Sequence, residues 1–214
     1  MKVTLYYAPL ACSLVPYVTL TEAGSDFDVH VVNFARQEHV SAQFLKLNPK
    51  HRVPVLTIDG VALTENVAIQ IWVARNFPQA RLLPTDAMQE AQAISLLAWC
   101  ASGIHPTLTP HARPERYCDL PGSEESVKRC AQALMLENFA IADECLAGRE
   151  WFFDHFTAVD AYFYWCFRRG RQFRPDVTRF ANCERHFQQM EQRPSVRKLL
   201  DYEAGLLAAM KKSA

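Results

Sequence analysis

Cys12 and Ser13 set a thiol beside a hydroxyl where an apolar, extended segment turns into a helix, in the run Tyr7-Ala8-Pro9-Leu10-Ala11-Cys12-Ser13-Leu14-Val15-Pro16. Helix N-termini carry unpaired amide N–H groups and the positive end of the helix dipole, so a cysteine there is biased toward its thiolate. The other six cysteines (100, 118, 130, 145, 166 and 183) are scattered, with no C-x-x-C and no Cys/His spacing of a zinc site. An odd, unpaired set of this kind fits free thiols in a reducing cytosol, most of them packing as small hydrophobes. His30, His39, His51, His111, His155 and His186 show no metal spacing either, so no metal is expected.

The elements that must position this turn follow from periodicity. Val3 to Tyr7 alternates and is rich in β-formers, which predicts a strand; Ser13 to Ala23 predicts an amphipathic helix stopped at Gly24. Asp28 to Phe34 predicts a second strand and Val40 to Leu47 a short helix closed by Asn48-Pro49. Val55 to Ile58 and Val61 to Leu63 flank Asp59-Gly60, a two-residue hairpin signal. Asn66 to Phe77 then places most of its apolar residues on one helical face. The order β-α-β-α-β-β-α is a thioredoxin-like layout. Past a short linker the pattern is helical: Met88 to Leu108, kinked near His105-Pro106, then Glu124 to Leu146, Ala158 to Arg169, Val177 to Gln192 and Val196 to Met210. The expected organisation is an α/β domain over residues 1–78, a linker over 79–85 and an all-helical domain over 86–214. Phe156-Thr157-Ala158-Val159-Asp160 reads as a capping box, with Thr157 at the N-cap, Asp160 at N3 and Phe156 placed to lean on Ala161. Such a device is worth about 1 kcal/mol and is structural.

Composition narrows the function classes. The 214 residues are 50% hydrophobic and 21% charged, with 23 Lys+Arg balancing 23 Asp+Glu. A zero net charge without a basic stripe argues against nucleic-acid binding. No window is long and uncharged enough to span a bilayer, and Pro9 and Pro16 interrupt the one N-terminal run that looks like a secretory signal. A cytoplasmic protein with small neutral-to-anionic ligands or protein partners is the expectation.

The layout, the Cys12-Ser13 turn, Val53-Pro54, Thr64-Glu65-Asn66 and the capping box, in this order and spacing, together resemble the cytosolic glutathione transferases over essentially the whole chain, and most of all the bacterial beta class. The resemblance implies glutathione as cosubstrate, a small electrophile as second substrate and a homodimer. It implies a cis bond before Pro54, leaving the backbone of Val53 to pair with the cysteinyl part of glutathione. Glu65 would hold the γ-glutamyl ammonium, and the helix starting at Asn66 would hold the γ-glutamyl carboxylate; Asn66 also reads as a helix cap. Arg36 aligns with a basic residue at the glycine end of the tripeptide and Arg52 stands where many relatives have Gln; ordinary surface charge is the other reading of both. Cys12 resembles the beta-class cysteine that lies close to the glutathione sulfur and can form a mixed disulfide with it. Ser13 would donate a hydrogen bond to the thiolate, and His105 matches a histidine facing the glutathione site. Tyr6 and Tyr7 read as packing.

Departures from the pattern gather on the acceptor side. Ala98 stands where the family has an asparagine near the sulfur, Gly103 where it has an acidic residue reaching toward the partner subunit, and Arg168-Arg169 where it has Arg-Trp, so Arg169 replaces an aromatic wall of the acceptor pocket. The implied activity is conjugation of glutathione to small electrophiles, with thiol–disulfide exchange or peroxide reduction through Cys12 as a variant. A regulator of the same fold acting through protein contacts is the competing class; such proteins often lose the cysteine or serine and the Glu-Asn pair, which stand here. Ala11-Cys12-Ser13 also differs from the Ser-Ser-Cys opening of zeta-type isomerases.

Overall fold

The computed structural model describes residues 1–173 and 175–212. The chain divides into two units: Met1–Leu83 together with the segment from Gln192 onward, and Pro84–Glu191.

The first unit is built on a four-stranded sheet of β1 (Val3–Tyr7), β2 (Asp28–Val31), β3 (Val55–Ile58) and β4 (Val61–Thr64), in the order β2-β1-β3-β4. β1 runs parallel to β2 and antiparallel to β3, with Leu5 opposite both Val29 and Leu56. Along β1 the alternation does its work: Val3, Leu5 and Tyr7 are buried. Asp59 (φ 48°) and Gly60 (φ 89°) make the β3–β4 turn, both in the left-handed region that a two-residue hairpin loop demands.

Helix α1 (Leu14–Glu22) is buried from Leu14 through Leu20, so it is a core helix rather than an amphipathic one. Pro16 lies in its first turn, where no intrahelical N–H is needed. A 3-10 turn at Glu38–Val40 precedes α2 (Ala42–Leu47), so the predicted single helix over 40–47 is two pieces. The break is at Ser41, which is extended and whose hydroxyl caps the Phe44 N–H. Helix α3 (Asn66–Asn76) buries Asn66, Ile69, Gln70 and Val73.

The largest correction to the expected organisation concerns α9 (Pro194–Lys212), placed from sequence in the helical domain. It belongs to the first unit and packs against α1. Arg193 donates to both Glu22 carboxylate oxygens at 3.0 and 2.8 Å, and Ser195 also bonds Glu22. Tyr202 stacks on Tyr17 and meets Tyr7 edge-on.

The second unit is helical: α4 (Ala87–Trp99), α5 (His105–Ala112), α6 (Glu124–Cys145), α7 (Ala158–Phe173) and α8 (Ala181–Gln192). The kink expected near His105-Pro106 appears as a π-turn over Cys100–Ile104. Pro106 has no N–H to offer the carbonyl one turn back, at Ser102, so the helix widens there instead of bending at the proline. Helix α7 is buried without a break from Ala158 to Phe167. Phe139 of α6 packs edge-on to Phe163 and Phe167, and Gly170 lets α6 approach: a Cβ there would lie 2.5 Å from the Phe139 ring. At the start of α7 the Asp160 carboxylate accepts from the Thr157 N–H (2.7 Å), the Thr157 hydroxyl (2.9 Å) and the Phe152 N–H (3.1 Å), and pairs with Nε2 of the buried His186 at 3.0 Å.

Candidate functional site

In the α/β unit three sequence-distant pieces meet at Cys12. Its Sγ donates to the Val53 carbonyl at 3.4 Å, the Asn66 Nδ2 donates to the Cys12 carbonyl at 3.1 Å, and the Val53-Pro54 bond is cis. Cys12 is partly buried. That burial pushes the thiol up to about 12; the Glu65 charge pushes the same way, while its backbone hydrogen bond, Arg52 and Asn66 work against the rise. The thiolate bias expected from the helix N-terminus is therefore overturned. Desolvation favours the protonated thiol, and Cys12 is an S–H donor to Val53 in this structure.

Ser13 takes a different part from the one expected. It is fully buried, accepts from the Ala8 N–H at 3.0 Å and donates its proton to the Ala8 carbonyl at 3.1 Å. The hydroxyl is committed to closing the turn before α1, so it is not available to a thiolate outside. Tyr7, read as packing, is fully buried and also donates its hydroxyl to Glu203.

Glu65 stands at the N-cap of α3 with φ 73°, a strained setting for a residue with a Cβ. Its side chain is exposed and pairs with Lys50, whose ammonium also donates to Thr64 Oγ1 at 2.9 Å. Asn66 is buried, and its Oδ1 has no hydrogen-bond partner. Arg52 is exposed and its carbonyl accepts from Asn48 Nδ2 at 2.7 Å. Arg36 is exposed too, in the turn after β2, where its backbone N–H meets Asn33 Oδ1 at 3.1 Å. Thus Cys12, Val53, Pro54, Glu65, Asn66 and Arg52 form one neighbourhood; among the described residues no hydrogen bond or ion pair ties Arg36 to it.

His105 and Arg169 lie in the helical unit. His105 Nδ1 is 3.1 Å from the Tyr162 hydroxyl, and its ring meets Trp165 edge-on at 4.3 Å. Arg169 lies over the Phe173 ring at 4.7 Å and pairs with Gln172.

Sequence reading missed Lys50, Tyr162, Trp165 and Glu203. For Glu203 a signal was available: α9 buries Val196, Leu199 and Glu203, so an acid occupies the core phase of an apolar helix. Tyr162 and Trp165 were equally legible as an i, i+3 pair on α7.

Comparison with known proteins agrees with this arrangement. Residues 1–75 match the family model for the glutathione S-transferase N-terminal domain. Over 203 residues the chain is 30% identical to glutathione S-transferase GstA of Escherichia coli O157:H7, covering 93% of this chain and 98% of that one. A glutathione transferase homologue from Sulfitobacter, solved with bound glutathione, superposes with a TM-score of 0.88 at 27% identity, over 94% of this chain and 98% of that one. A bacterial beta class glutathione S-transferase from Sphingomonas chungbukensis gives 0.82 at 31% identity, with the same coverage. A Cys12 turn set against a cis-proline strand, in a chain alike in sequence and fold over nearly its whole length, makes this protein a transferase of the glutathione S-transferase family.

Proposed function

We propose that this enzyme binds glutathione along the α/β unit and conjugates its sulfur to small electrophiles. The observation that carries the reading is the meeting of Cys12, the Val53 backbone and Asn66 at one point. In this reading Val53 pairs with the cysteinyl backbone of glutathione, as one strand pairs with another. Glu65 exchanges Lys50 for the γ-glutamyl ammonium, and the N-terminus of α3 at Asn66 takes the γ-glutamyl carboxylate. Arg52 and Arg36 supply positive charge for the glycine carboxylate. His105 keeps the catalytic role the family resemblance implies, and Arg169 is assigned to the electrophile, the least family-like side of the chain.

A protonated Cys12 divides the chemistry in a definite way. Its S–H can turn from Val53 to the sulfur of glutathione, which stabilises that sulfur as the thiolate and leaves it as the nucleophile. Holding both reactants together supplies much of the rate. Thiol–disulfide exchange is the slower variant: Cys12 loses its proton to solvent, attacks one sulfur of glutathione disulfide and releases the other as glutathione thiolate. We further propose a homodimer working in the cytoplasm; no helix among the described residues is long and apolar enough to cross a membrane.

Retention on immobilised glutathione tests the reading directly. Wild type should be held and eluted by free glutathione, and no binding at millimolar glutathione would overturn it. Treatment with glutathione disulfide followed by intact mass then tests the variant: an adduct of roughly 305 Da should form on wild type and be absent from Cys12→Ser.

A further inference from the structure

Helix α9 contributes one buried acid to the far end of β1. Glu203 is 2% exposed, and a single oxygen, Oε1, accepts from the Tyr7 hydroxyl at 2.8 Å and from the Leu10 backbone N–H at 2.7 Å. Tyr7 is the last residue of β1 and Leu10 lies two residues before Cys12. Leu10 has φ 62°, a left-handed conformation that a bulky side chain holds only where its surroundings over-determine it. A short hydrogen bond to a buried carboxylate is such a constraint, since charge-assisted bonds are about twice as strong as neutral ones. On the other side of Cys12, Ser13 clamps Ala8 through two bonds, and the Val15 N–H meets the Cys12 carbonyl at 3.2 Å. Cys12 is thus slung between an anchor at Leu10 supplied by α9 and an anchor at Ser13 within the turn, while Asn66 of α3 holds its carbonyl at 3.1 Å.

We propose that Glu203 is a positioning residue for Cys12: by holding Tyr7 and Leu10 it fixes the Pro9–Cys12 turn so that the sulfur stays directed at the Val53 carbonyl and sheltered from water. The functional consequence rests on the reading that Cys12 meets the glutathione sulfur; the effect on the thiol itself does not. With the anchor gone, Leu10 relaxes from its left-handed conformation, the turn opens and water reaches the sulfur. The two ends of α9 are separable in this respect. Arg193 and Ser195 secure its start to the end of α1 through Glu22, whereas Glu203, further along α9, bonds the turn before α1.

The test is the rate at which iodoacetamide alkylates Cys12 across pH 7 to 11, read by peptide mass, with calorimetric binding of glutathione measured alongside. Alkylation forms a C–S bond from the thiolate and expels iodide, so the rate follows exposure and ionisation of the sulfur. Glu203→Ala should alkylate about tenfold faster near pH 8 and should bind glutathione about tenfold more weakly. Glu203→Gln keeps an oxygen that can accept both bonds and should stay within about threefold of wild type. Arg193→Met, which frees only the other end of α9, should melt earlier yet alkylate at the wild-type rate. Should the alanine variant fail to fold, Glu203→Asp replaces it: one methylene short of Tyr7 and Leu10, it should also accelerate alkylation. The proposal is overturned if folded Glu203→Ala, or Glu203→Asp in its place, alkylates at the wild-type rate. It is equally overturned if Glu203→Gln is as fast as the alanine variant, or if Arg193→Met accelerates alkylation as much. Failure of wild type to bind glutathione would sink the conjugation reading while leaving the alkylation result to judge Glu203.

Discussion

Two carboxylates sit at the starts of helices in this molecule and lead opposite lives. Asp160, at the third position of α7, is completely buried and meets the Phe152 and Thr157 N–H groups, the Thr157 hydroxyl and His186. Glu65, at the cap of α3, has a side chain 68% exposed, a left-handed backbone and a solvent-facing lysine as its partner. The same dipole favours both. What separates them is saturation. A buried acid whose donors all come from the fold is occupied with holding the fold together, whereas an acid held at some conformational cost and left facing water has capacity for a ligand.

That contrast can be broken by experiment. Asp160→Ala should have the largest effect, about 3–5 kcal/mol of stability by urea unfolding, because it strands several buried donors at once. If Asp160→Ala instead unfolded at the wild-type urea midpoint, saturation would not mark a structural acid. Glu65→Ala should cost about 2–3 kcal/mol in glutathione binding by calorimetry, while leaving the melting temperature nearly unchanged, since an exposed ion pair contributes little. A large stability loss there would put Glu65 in the same class as Asp160. Ser13→Ala, which removes a buried two-way bond, should lose about 1–3 kcal/mol of stability with little effect on alkylation of Cys12; a sharp change in reactivity with intact stability would restore Ser13 to the chemistry.

The smallest effect is one of pH. Burial raises the Glu22 carboxyl, but the Arg193 and Ser195 hydrogen bonds outweigh it and leave it below the ordinary carboxylate range. A lowered acid stabilises the fold above its unfolded value of about 4.3 and loses that contribution as the pH falls through the folded value. Urea midpoints measured from pH 7 to 3 should therefore fall less steeply for Glu22→Gln than for wild type. The variant should also start lower at pH 7.

How much of this was legible beforehand depended on the range of the interaction. Asp59-Gly60 and Thr157-Asp160 declared a turn and a cap because each is decided within four residues. The kink before His105 was legible in kind but not in place, since the missing N–H of Pro106 acts on a carbonyl one turn upstream. Ser13 was misread because its partner, Ala8, is joined to it only by the closure of the turn. The rise of the Cys12 thiol was out of sight because burial, its first cause, is set by the packed fold and not by neighbouring residues in sequence. The assignment of α9 to the first unit was out of reach for the same reason: the Glu22–Arg193 pair spans most of the chain.

The placement of α9 also has a bearing on how the protein is made. The whole of Pro84–Glu191 must leave the ribosome between the sheet that carries Cys12 and the helix that carries Glu203. The nascent α/β unit therefore waits, with α1 uncovered and the Leu10 turn unanchored, until synthesis has passed Glu203. Throughout that interval Cys12 should be more reactive than it will ever be in the finished enzyme.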